Sequence, residues 1–249
     1  MQILRGILAG LKADSAVQEV RRGLFWTAVV SRRCGLASTM MRGLCPDENK
    51  DNGNFRPPSE MTAMELAQLS LSEDISEASL GLAAINSLID TDISAAMEIN
   101  AGDILMEHGK GKNISVIGHF PFTDDLRKTA RNLWIIERRQ RPGDYPESDA
   151  GTYLPQSDVI AISSTTLINH TLTAILALCP PGSVKMILGP TTPMAPVLFD
   201  YGIDIISGSL VTDTSTALRY ISEGANFRQL KRSGSVRLLT ITKKYAEKG

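Results

Sequence analysis

Two side chains suited to proton transfer each follow an apolar run that is predicted to be a strand. His119 is one of three histidines and comes just after the run 114–117. An imidazole titrates near neutral pH and can also bind a metal. Glu137 ends the run 133–136, at the position where dinucleotide-binding folds place an acid on ribose hydroxyls. We therefore predict His119 and Glu137 as catalytic candidates, with a purely structural role for the lone histidine as the alternative.

Glycine, hydroxyl and amide residues follow the same apolar runs and suit a polar or anionic ligand. In the segment 189–193, two prolines enclose two threonines, which predicts a rigid cradle before a helix. Thr165 and Thr166 precede another predicted helix, and Asn169 lies one turn into it. Helix capping and loop support are the alternatives for these side chains, as a solvated rim is for Arg138. The predicted ligand-binding residues are Gly118, Pro121, Arg138, Thr165, Thr166, Asn169, Gly189, Thr191 and Thr192.

Neither a standard dinucleotide site nor a preformed transition-metal site is predicted. The turn after the first run, residues 118–122, lacks GxGxxG and places Pro121 where a pyrophosphate would need glycine. Cys34, Cys45 and Cys179 are far apart and form no CxxC or zinc-like spacing with histidine. These residues therefore do not identify a cofactor, and a metal ion or a metal complex is among the candidate ligands.

The elements that must position these residues follow the pattern of a parallel sheet. From about residue 113, short apolar runs alternate with helical segments, which is typical of strands joined by crossover helices. In such open sheets, ligands bind at the carboxyl ends of the strands where the strand order reverses. The predicted strands are Ile114–Ile117, Leu133–Ile136, Val159–Ile162, Val184–Leu188, Ile203–Ile206 and an edge strand at Val236–Ile241. The predicted helices are Asp124–Arg131, Thr166–Leu178, Pro196–Asp200 and Thr216–Ser222.

The first hundred residues have a different pattern and predict a smaller α+β module. After a helical segment at Met1–Leu11, two β-rich runs at Val17–Val20 and Phe25–Val30 predict a hairpin, and the polar segment Asp47–Glu60 predicts a surface loop. A helix begins near Thr62. Asp74, with Glu77 in the capping-box position, begins another helix whose body, Ala78–Ile89, is dense in small residues. Such a helix requires close packing against a neighbour. We place the domain boundary between 1–105 and 106–249.

Composition limits the classes of partner and the cellular compartment that we expect for this protein. The formal charge of -1 offers no global attraction for nucleic acid or an anionic membrane, so neither is expected as a partner. No apolar run reaches the roughly 20 residues that span a bilayer. Three scattered cysteines fit a reduced, cytoplasmic location.

These same motifs resemble a known family. The segments 117–122, 137–138, 143–146, 165–169 and 189–193 are together similar to the heavy-metal chelation domain family, whose function is unknown. Segments 23–27, 35–39 and 77–86 resemble the enolase amino-terminal-like module that precedes it. The resemblance implies a Rossmann-like carboxyl domain, a ligand cleft between the modules, and metal chelation or cobalamin-related metabolism. His170 departs from the family pattern, where a small residue follows the asparagine.

Three functions from different classes follow from these observations. The first is binding of an anionic metabolite or metal complex in the cleft, with or without catalysis. The second is a nucleotide- or S-adenosylmethionine-type transferase that uses Gly118 and Glu137 as a degenerate Rossmann site. The third is a homo-oligomeric scaffold in which the helix Ala78–Ile89 packs against a second subunit.

Overall fold

The computed structural model describes residues 1–41, 56–90 and 96–243. Cys45, most of the predicted loop Asp47–Glu60 and the predicted tail beyond Lys243 lie outside these ranges. Of that loop, only residues 56–60 are described, and Pro58–Glu60 form a turn of 3-10 helix.

The amino-terminal part, residues 1–90, builds a small antiparallel sheet covered by helices. Its elements are α1 (Gln2–Ala9), β1 (Glu19–Arg22), β2 (Trp26–Val30), β3 (Cys34–Ser38), α2 (Ala63–Gln68) and α3 (Ile75–Leu88). Within the described residues this sheet has three strands in the order β1-β2-β3. The predicted hairpin is present, but β3 was not predicted. α3 covers β3 closely and buries most of its length. The strand therefore consists of small residues and lacks the alternation of apolar and polar residues that marks a half-exposed strand.

The two helix starts in this part use different hydrogen bonds. Thr62 and Glu65 form a reciprocal capping box at the start of α2. Asp74 caps α3 as predicted, because its carboxylate accepts from two backbone N–H groups of the first turn. The predicted reciprocal bond from Glu77 is wrong. Ser72 intervenes: its hydroxyl donates to the Glu77 carboxylate at 2.6 Å and accepts from the Asp74 N–H at 3.1 Å.

The small residues of α3 allow close packing inside this chain. A Cβ added to Gly81 would lie 2.0 Å from the backbone nitrogen of Ser70. Residues from Ala78 to Ile85 are all buried, against β2, β3 and α2. The predicted close packing is therefore confirmed, and its partner is intramolecular. The observation that motivated an oligomeric scaffold is thus explained within the fold.

The carboxyl-terminal part, residues 96–243, contains a larger, mostly parallel sheet. Among the described residues its strand order is β5-β4-β6-β7-β8-β9, and only β9 is antiparallel to its neighbour. The fifth predicted strand was placed too early, because β8 continues to Val211 along the antiparallel edge strand. The strands are β4 (Asn113–Ile117), β5 (Asn132–Ile136), β6 (Val159–Ser163), β7 (Val184–Leu188), β8 (Ile205–Val211) and β9 (Val236–Thr242).

Helices cover both faces of this sheet. They are α4 (Ala101–Gly109), α5 (Thr123–Thr129), α6 (Ala150–Tyr153), α7 (Thr165–Ile168), α8 (Leu172–Leu178), α9 (Thr214–Ser222) and α10 (Phe227–Arg232). The segment predicted as the helix Pro196–Asp200 is a 3-10 helix, Pro196–Tyr201. None of the helices in the described ranges has the length and apolar character needed to cross a bilayer.

The predicted helix Thr166–Leu178 is wrong in one respect, because it is broken into α7 and α8. His170, between them, has a φ of 60°, which no α-helix accommodates. Its Nε2 lies 2.9 Å from the carbonyl oxygen of Ser70 in the amino-terminal part. A contact between distant segments therefore accompanies the break. One apolar core spans both parts and includes Leu82 and Ile85 of α3 with Leu167 and Ile187 of the carboxyl part.

Candidate functional site

The strand order reverses between β4 and β6, so a ligand site is expected at the carboxyl ends of these two strands. The chain runs from β4 outward to β5 and then returns to β6 on the other side of β4. Gly118 directly follows β4 and has a φ of 102°, and a Cβ there would lie 3.0 Å from the Cβ of Ser163 at the end of β6. Glycine is required here both for the backbone conformation and for this close approach. Open α/β sheets bind ligands at this position.

Two cavities adjoin at this point among the described residues, and Ser163 and Thr165 line both of them. The first, of about 470 Å³, is here called the arginine cavity. It is lined by Thr39, Met40 and Ile75 from the amino-terminal part and by Gly118, Glu137, Arg138, Arg139, Glu147, Thr166 and Asn169 from the carboxyl part. The second, of about 610 Å³, is called the aromatic cavity. Its lining includes Trp26, Ser38, His119, Phe120, Pro121, Phe122, Ser164, Gly189, Thr191, Phe227, Arg228 and Lys231.

The predicted site residues are therefore divided between two cavities. The two catalytic candidates are separated, since Glu137 lines the arginine cavity and His119 the aromatic cavity. Thr192 lines neither of them. It is buried at 2% exposure, and its hydroxyl has no hydrogen-bond partner among the described residues.

Both ring nitrogens of His119 contact protein side chains. Its Nδ1 lies 3.2 Å from Nη1 of Arg141, and its Nε2 lies 3.4 Å from Oδ1 of Asp144. A guanidinium only donates, so Nδ1 is the acceptor in the first contact, and Nε2 faces the carboxylate. The Asp144 side chain is 2% exposed and also accepts from the backbone N–H of Arg141. These contacts position the imidazole, with Nδ1 engaged by Arg141 and Nε2 directed at the Asp144 carboxylate.

The acidic and basic groups after β5 are mostly paired with each other. The Glu137 carboxylate accepts from the backbone N–H groups of Arg138 at 2.7 Å and Arg139 at 3.1 Å. Arg138 Nε donates to Glu147 at 2.6 Å. In the described part of the chain, the Arg139 side chain has no such ion pair. Glu137 and Arg138 thus stabilise their own loop. Arg139, which was not among the predicted site residues, lines the arginine cavity.

Several predicted hydroxyl and amide groups bond the protein itself. Thr165 Oγ1 pairs with Ser163 Oγ at 2.8 Å, and Thr166 Oγ1 donates to the Ser163 carbonyl at 2.7 Å. The side-chain oxygen Oδ1 of Asn169 accepts from the backbone N–H and the hydroxyl of Thr171. Asn169 therefore belongs to the turn after α7 and does not lie within a helix.

Thr191 links the two parts of the chain. Its hydroxyl accepts from the Ser38 N–H at 2.9 Å and pairs with the Ser38 hydroxyl at 3.0 Å. Its carbonyl accepts from the Asn86 amide at 3.0 Å. Thr191 is fully buried and its hydroxyl is already engaged. The structure thus gives the proline-threonine segment a positioning role for β3 and α3.

Several residues of the aromatic cavity were not among the predicted site residues. Trp26 comes from β2, whereas Phe227, Arg228 and Lys231 come from α10, about 200 residues later. No local pattern connects these segments. Ser164 follows β6 directly, so its place after a predicted strand was the available signal.

The donor set does not fit tight binding of a soft metal ion. Among residues 1–41, 56–90 and 96–243, no group of three or more His, Cys, Asp or Glu side chains could hold a metal. Burial raises the pKa of the Cys34 thiol to about 12 and that of Cys179 to about 11. A metal ligand must be a thiolate, so these buried thiols would lose their proton at a greater cost than an exposed cysteine would.

Cys34 should make stability depend on pH above the ordinary thiol range. The unfolded thiol ionises at about pH 8.5, while the native state keeps it protonated up to about pH 12. Its stabilising contribution is complete below the unfolded pKa and is lost as pH rises through the interval between the two values. We expect Cys34→Ala to flatten the fall in unfolding free energy between about pH 8 and 10, measured by urea denaturation. Equal slopes for the variant and wild type would contradict this.

Comparisons with known proteins identify the family. An uncharacterized protein from Methanocaldococcus jannaschii is 30% identical over 196 residues, which cover 75% of this chain and 73% of that protein. A crystal structure from Desulfitobacterium hafniense, of unknown function and from the DUF364 family, has a TM-score of 0.81 at 25% identity, covering 97% of this chain and 98% of that one. A Pyrococcus horikoshii structure with the same description has a TM-score of 0.78 at 22% identity and the same coverage.

The two parts of the chain each match a family with the same description. Residues 6–89 match one family described as putative heavy-metal chelation, and residues 100–240 match a second. The second match alone spans more than half of the sequence. The strand order and the match along nearly the whole chain agree with this resemblance, and the chain therefore belongs to this heavy-metal chelation family of unknown function.

Proposed function

We propose that this protein binds a small anionic molecule in the arginine cavity, either a metabolite or a metal ion already held in an anionic complex. The observation that carries the proposal is Arg139, whose side chain lines the cavity and has no ion pair among the described residues. The neighbouring charges are satisfied locally, since Arg138 pairs with Glu147 and Glu137 bonds two backbone amides. One uncompensated guanidinium beside a cavity favours a ligand with an acidic group.

The remaining lining suits a small polar ligand. Gly118 brings the backbone close to Ser163, whose hydroxyl is next to that of Thr165. Thr39 and Met40 supply the opposite wall from the amino-terminal part. A volume of about 470 Å³ falls in the usual range of small-molecule sites, roughly 300–1,000 Å³. A preformed complex would also reconcile the family description with the lack of a metal-ligand cluster in the described residues, because its own ligands would hold the metal.

The proposal is tested with anions of known structure and a matched pair of variants. The probes are inorganic phosphate, citrate and the inert complex Co(III)–EDTA, followed by thermal shift and by isothermal titration. Arg139→Gln removes the cavity cation, whereas Arg131→Gln makes the same change at an exposed arginine that does not line the cavity. A charge-assisted hydrogen bond contributes about 1.5–3 kcal/mol, so Arg139→Gln should weaken binding at least about tenfold.

The control variant and two possible results decide whether the anion site exists. Arg131→Gln should bind the effective probe as wild type does. If Arg139→Gln binds it equally well, or if all three probes leave the melting temperature of wild type unchanged, the proposal fails. A ligand at 100 times its dissociation constant should stabilise the protein by about 2.7 kcal/mol, which such a measurement detects readily.

A further inference from the structure

We propose that the aromatic cavity is a second binding site, which takes a planar heteroaromatic ring bearing a phosphate group. This inference does not depend on the anion site proposed above, because the two cavities share only Ser163 and Thr165. Aromatic walls, a buried indole N–H without a partner among the described residues, and two cations converge here from separate parts of the chain.

Aromatic side chains form two pairs in the lining. Trp26 contacts Phe227 edge to face, with ring centroids 5.6 Å apart. Phe120 and Phe122 are nearly parallel, at 5.2 Å and an interplanar angle of 4°. One of the two tryptophans and three of the six phenylalanines of the chain therefore line one cavity. Ring faces of this kind favour stacking of a planar ligand, which contributes about 1–3 kcal/mol per base in nucleic-acid sites.

One buried polar group at the cavity has no hydrogen-bond partner among the described residues. It is the indole N–H of Trp26, on a residue that is 9% exposed. Ser164, which is 1% exposed, also lines the cavity and offers its hydroxyl there. A Cβ on Gly189 would lie 2.9 Å from Ser164 Oγ, so the glycine leaves this hydroxyl uncovered. A ring nitrogen or carbonyl of a ligand would supply an acceptor for the Ser164 hydroxyl.

The positive charge comes from α10. Arg228 and Lys231 are three residues apart, which places them on one face of the helix, and both line the cavity. No carboxylate of a described residue lies within ion-pair distance of either side chain, whereas Asp125, the acidic residue of this lining, pairs with Lys128 at 2.7 Å. Two unpaired cations match the double charge of a phosphate. The volume of about 610 Å³ lies in the range that small-molecule sites occupy.

Because the cavities adjoin at the end of β6, the two ligands would lie side by side. Ser163 and Thr165 separate them and line both cavities. The position of the strand-order reversal is therefore shared by two sites. This arrangement would bring an aromatic phosphate and a small anion close together at the carboxyl end of the sheet.

Trp26 provides a direct reporter of binding. The full chain with Trp134→Phe retains Trp26 as its sole tryptophan, and Trp134 lies against Tyr153 away from the cavity lining. The probes are AMP, UMP and nicotinate mononucleotide, which carry purine, pyrimidine and pyridine rings, with ribose 5-phosphate as the ring-free control. We expect at least one ring-bearing probe to quench Trp26 fluorescence and to bind at least tenfold more tightly than ribose 5-phosphate. Absence of quenching by all three, or equal affinity for ribose 5-phosphate, would overturn the proposal.

Variants of α10 and β6 test the assigned contacts with the best probe. The double variant Arg228→Gln, Lys231→Gln should weaken its binding at least tenfold, while Arg232→Gln, on the same helix but outside the lining, should not change it. Ser164→Ala should weaken binding about three- to tenfold, in line with one lost hydrogen bond. Unfolding curves confirm that each variant is folded. Unchanged affinity in the double variant refutes the site.

The anion site in the arginine cavity and the second site in the aromatic cavity can be refuted independently of each other. Arg139→Gln should leave AMP-type binding unchanged, and the α10 double variant should leave binding of the small anion unchanged. Loss of both kinds of binding in either variant would show that the cavities form a single site and would overturn the second one.

Discussion

Replacement of Gly35 by alanine is expected to lower the free energy of unfolding by about 3 kcal/mol or more. Gly35 lies in β3 against α3, and an added Cβ would be 2.2 Å from the Ala83 carbonyl oxygen and 2.3 Å from the Ser87 nitrogen. Both are backbone atoms of a buried helix, so neither can move without shifting the helix. Overpacking of a core costs about 1–3 kcal/mol and occasionally more, and contacts this short belong at the upper end.

The matched control is Gly151→Ala in α6. A Cβ at Gly151 would meet no atom within 4 Å, and alanine is a better helix former than glycine. This variant should be neutral or up to about 1 kcal/mol more stable, by urea denaturation under the same conditions. If Gly35→Ala is as stable as Gly151→Ala, the close contact between β3 and α3 is wrong. The experiment therefore examines the packing that carries Ser38, Thr39 and Met40 to the cavities.

Replacement of Asn86 by alanine is expected to cost about 2–4 kcal/mol and to weaken ligand binding. The Asn86 amide nitrogen, on α3, donates to the Leu36 carbonyl at 2.7 Å and to the Thr191 carbonyl at 3.0 Å. One side chain thus joins α3, β3 and the segment after β7. Its removal leaves two backbone acceptors without their donor, each at about 1–3 kcal/mol when buried. The wall formed by Ser38 and Thr39 should then be held less precisely.

Asn132→Ala serves as the control for Asn86. The Asn132 amide donates to an asparagine side chain at 2.9 Å, but the residue is exposed at the opposite end of the sheet. Surface substitutions of this kind usually change stability by less than about 0.5 kcal/mol. Denaturation curves and anion titration of both variants provide the comparison. Equal losses of stability, or unchanged anion affinity in Asn86→Ala, would show that this amide does not hold the two parts together.

Much of the carboxyl sheet could be predicted because its signal is local. Runs such as Val159–Ile162 contain consecutive β-branched residues, and only a strand buried on both faces favours that composition. The position of the site followed from topology, since parallel strands bring their carboxyl ends to one edge. That rule placed Gly118 and Thr165 at the strand-order reversal, where they line the cavities.

The exact chemistry of the site could not be predicted, because it depends on partners far apart in the sequence. His119 was selected as a titratable residue at a strand end, yet its ring nitrogens face Arg141 and Asp144 of a loop more than 20 residues later. Thr191 was selected as a ligand hydroxyl, yet it bonds Ser38, 153 residues earlier. A side chain can be recognised as polar from the sequence, but the atom that satisfies it cannot.

The sequence by itself determined the strands of the large sheet, the end at which a ligand site would lie and the family. These depend on composition, periodicity and strand-end motifs, which are properties of short segments. Only the tertiary structure decided that the crevice is divided into two cavities, that α10 carries two cations to one of them, and that β3 forms the wall beside Thr191. The physical reason is that hydrogen bonds and packing join groups by distance in space, and no local pattern records that distance.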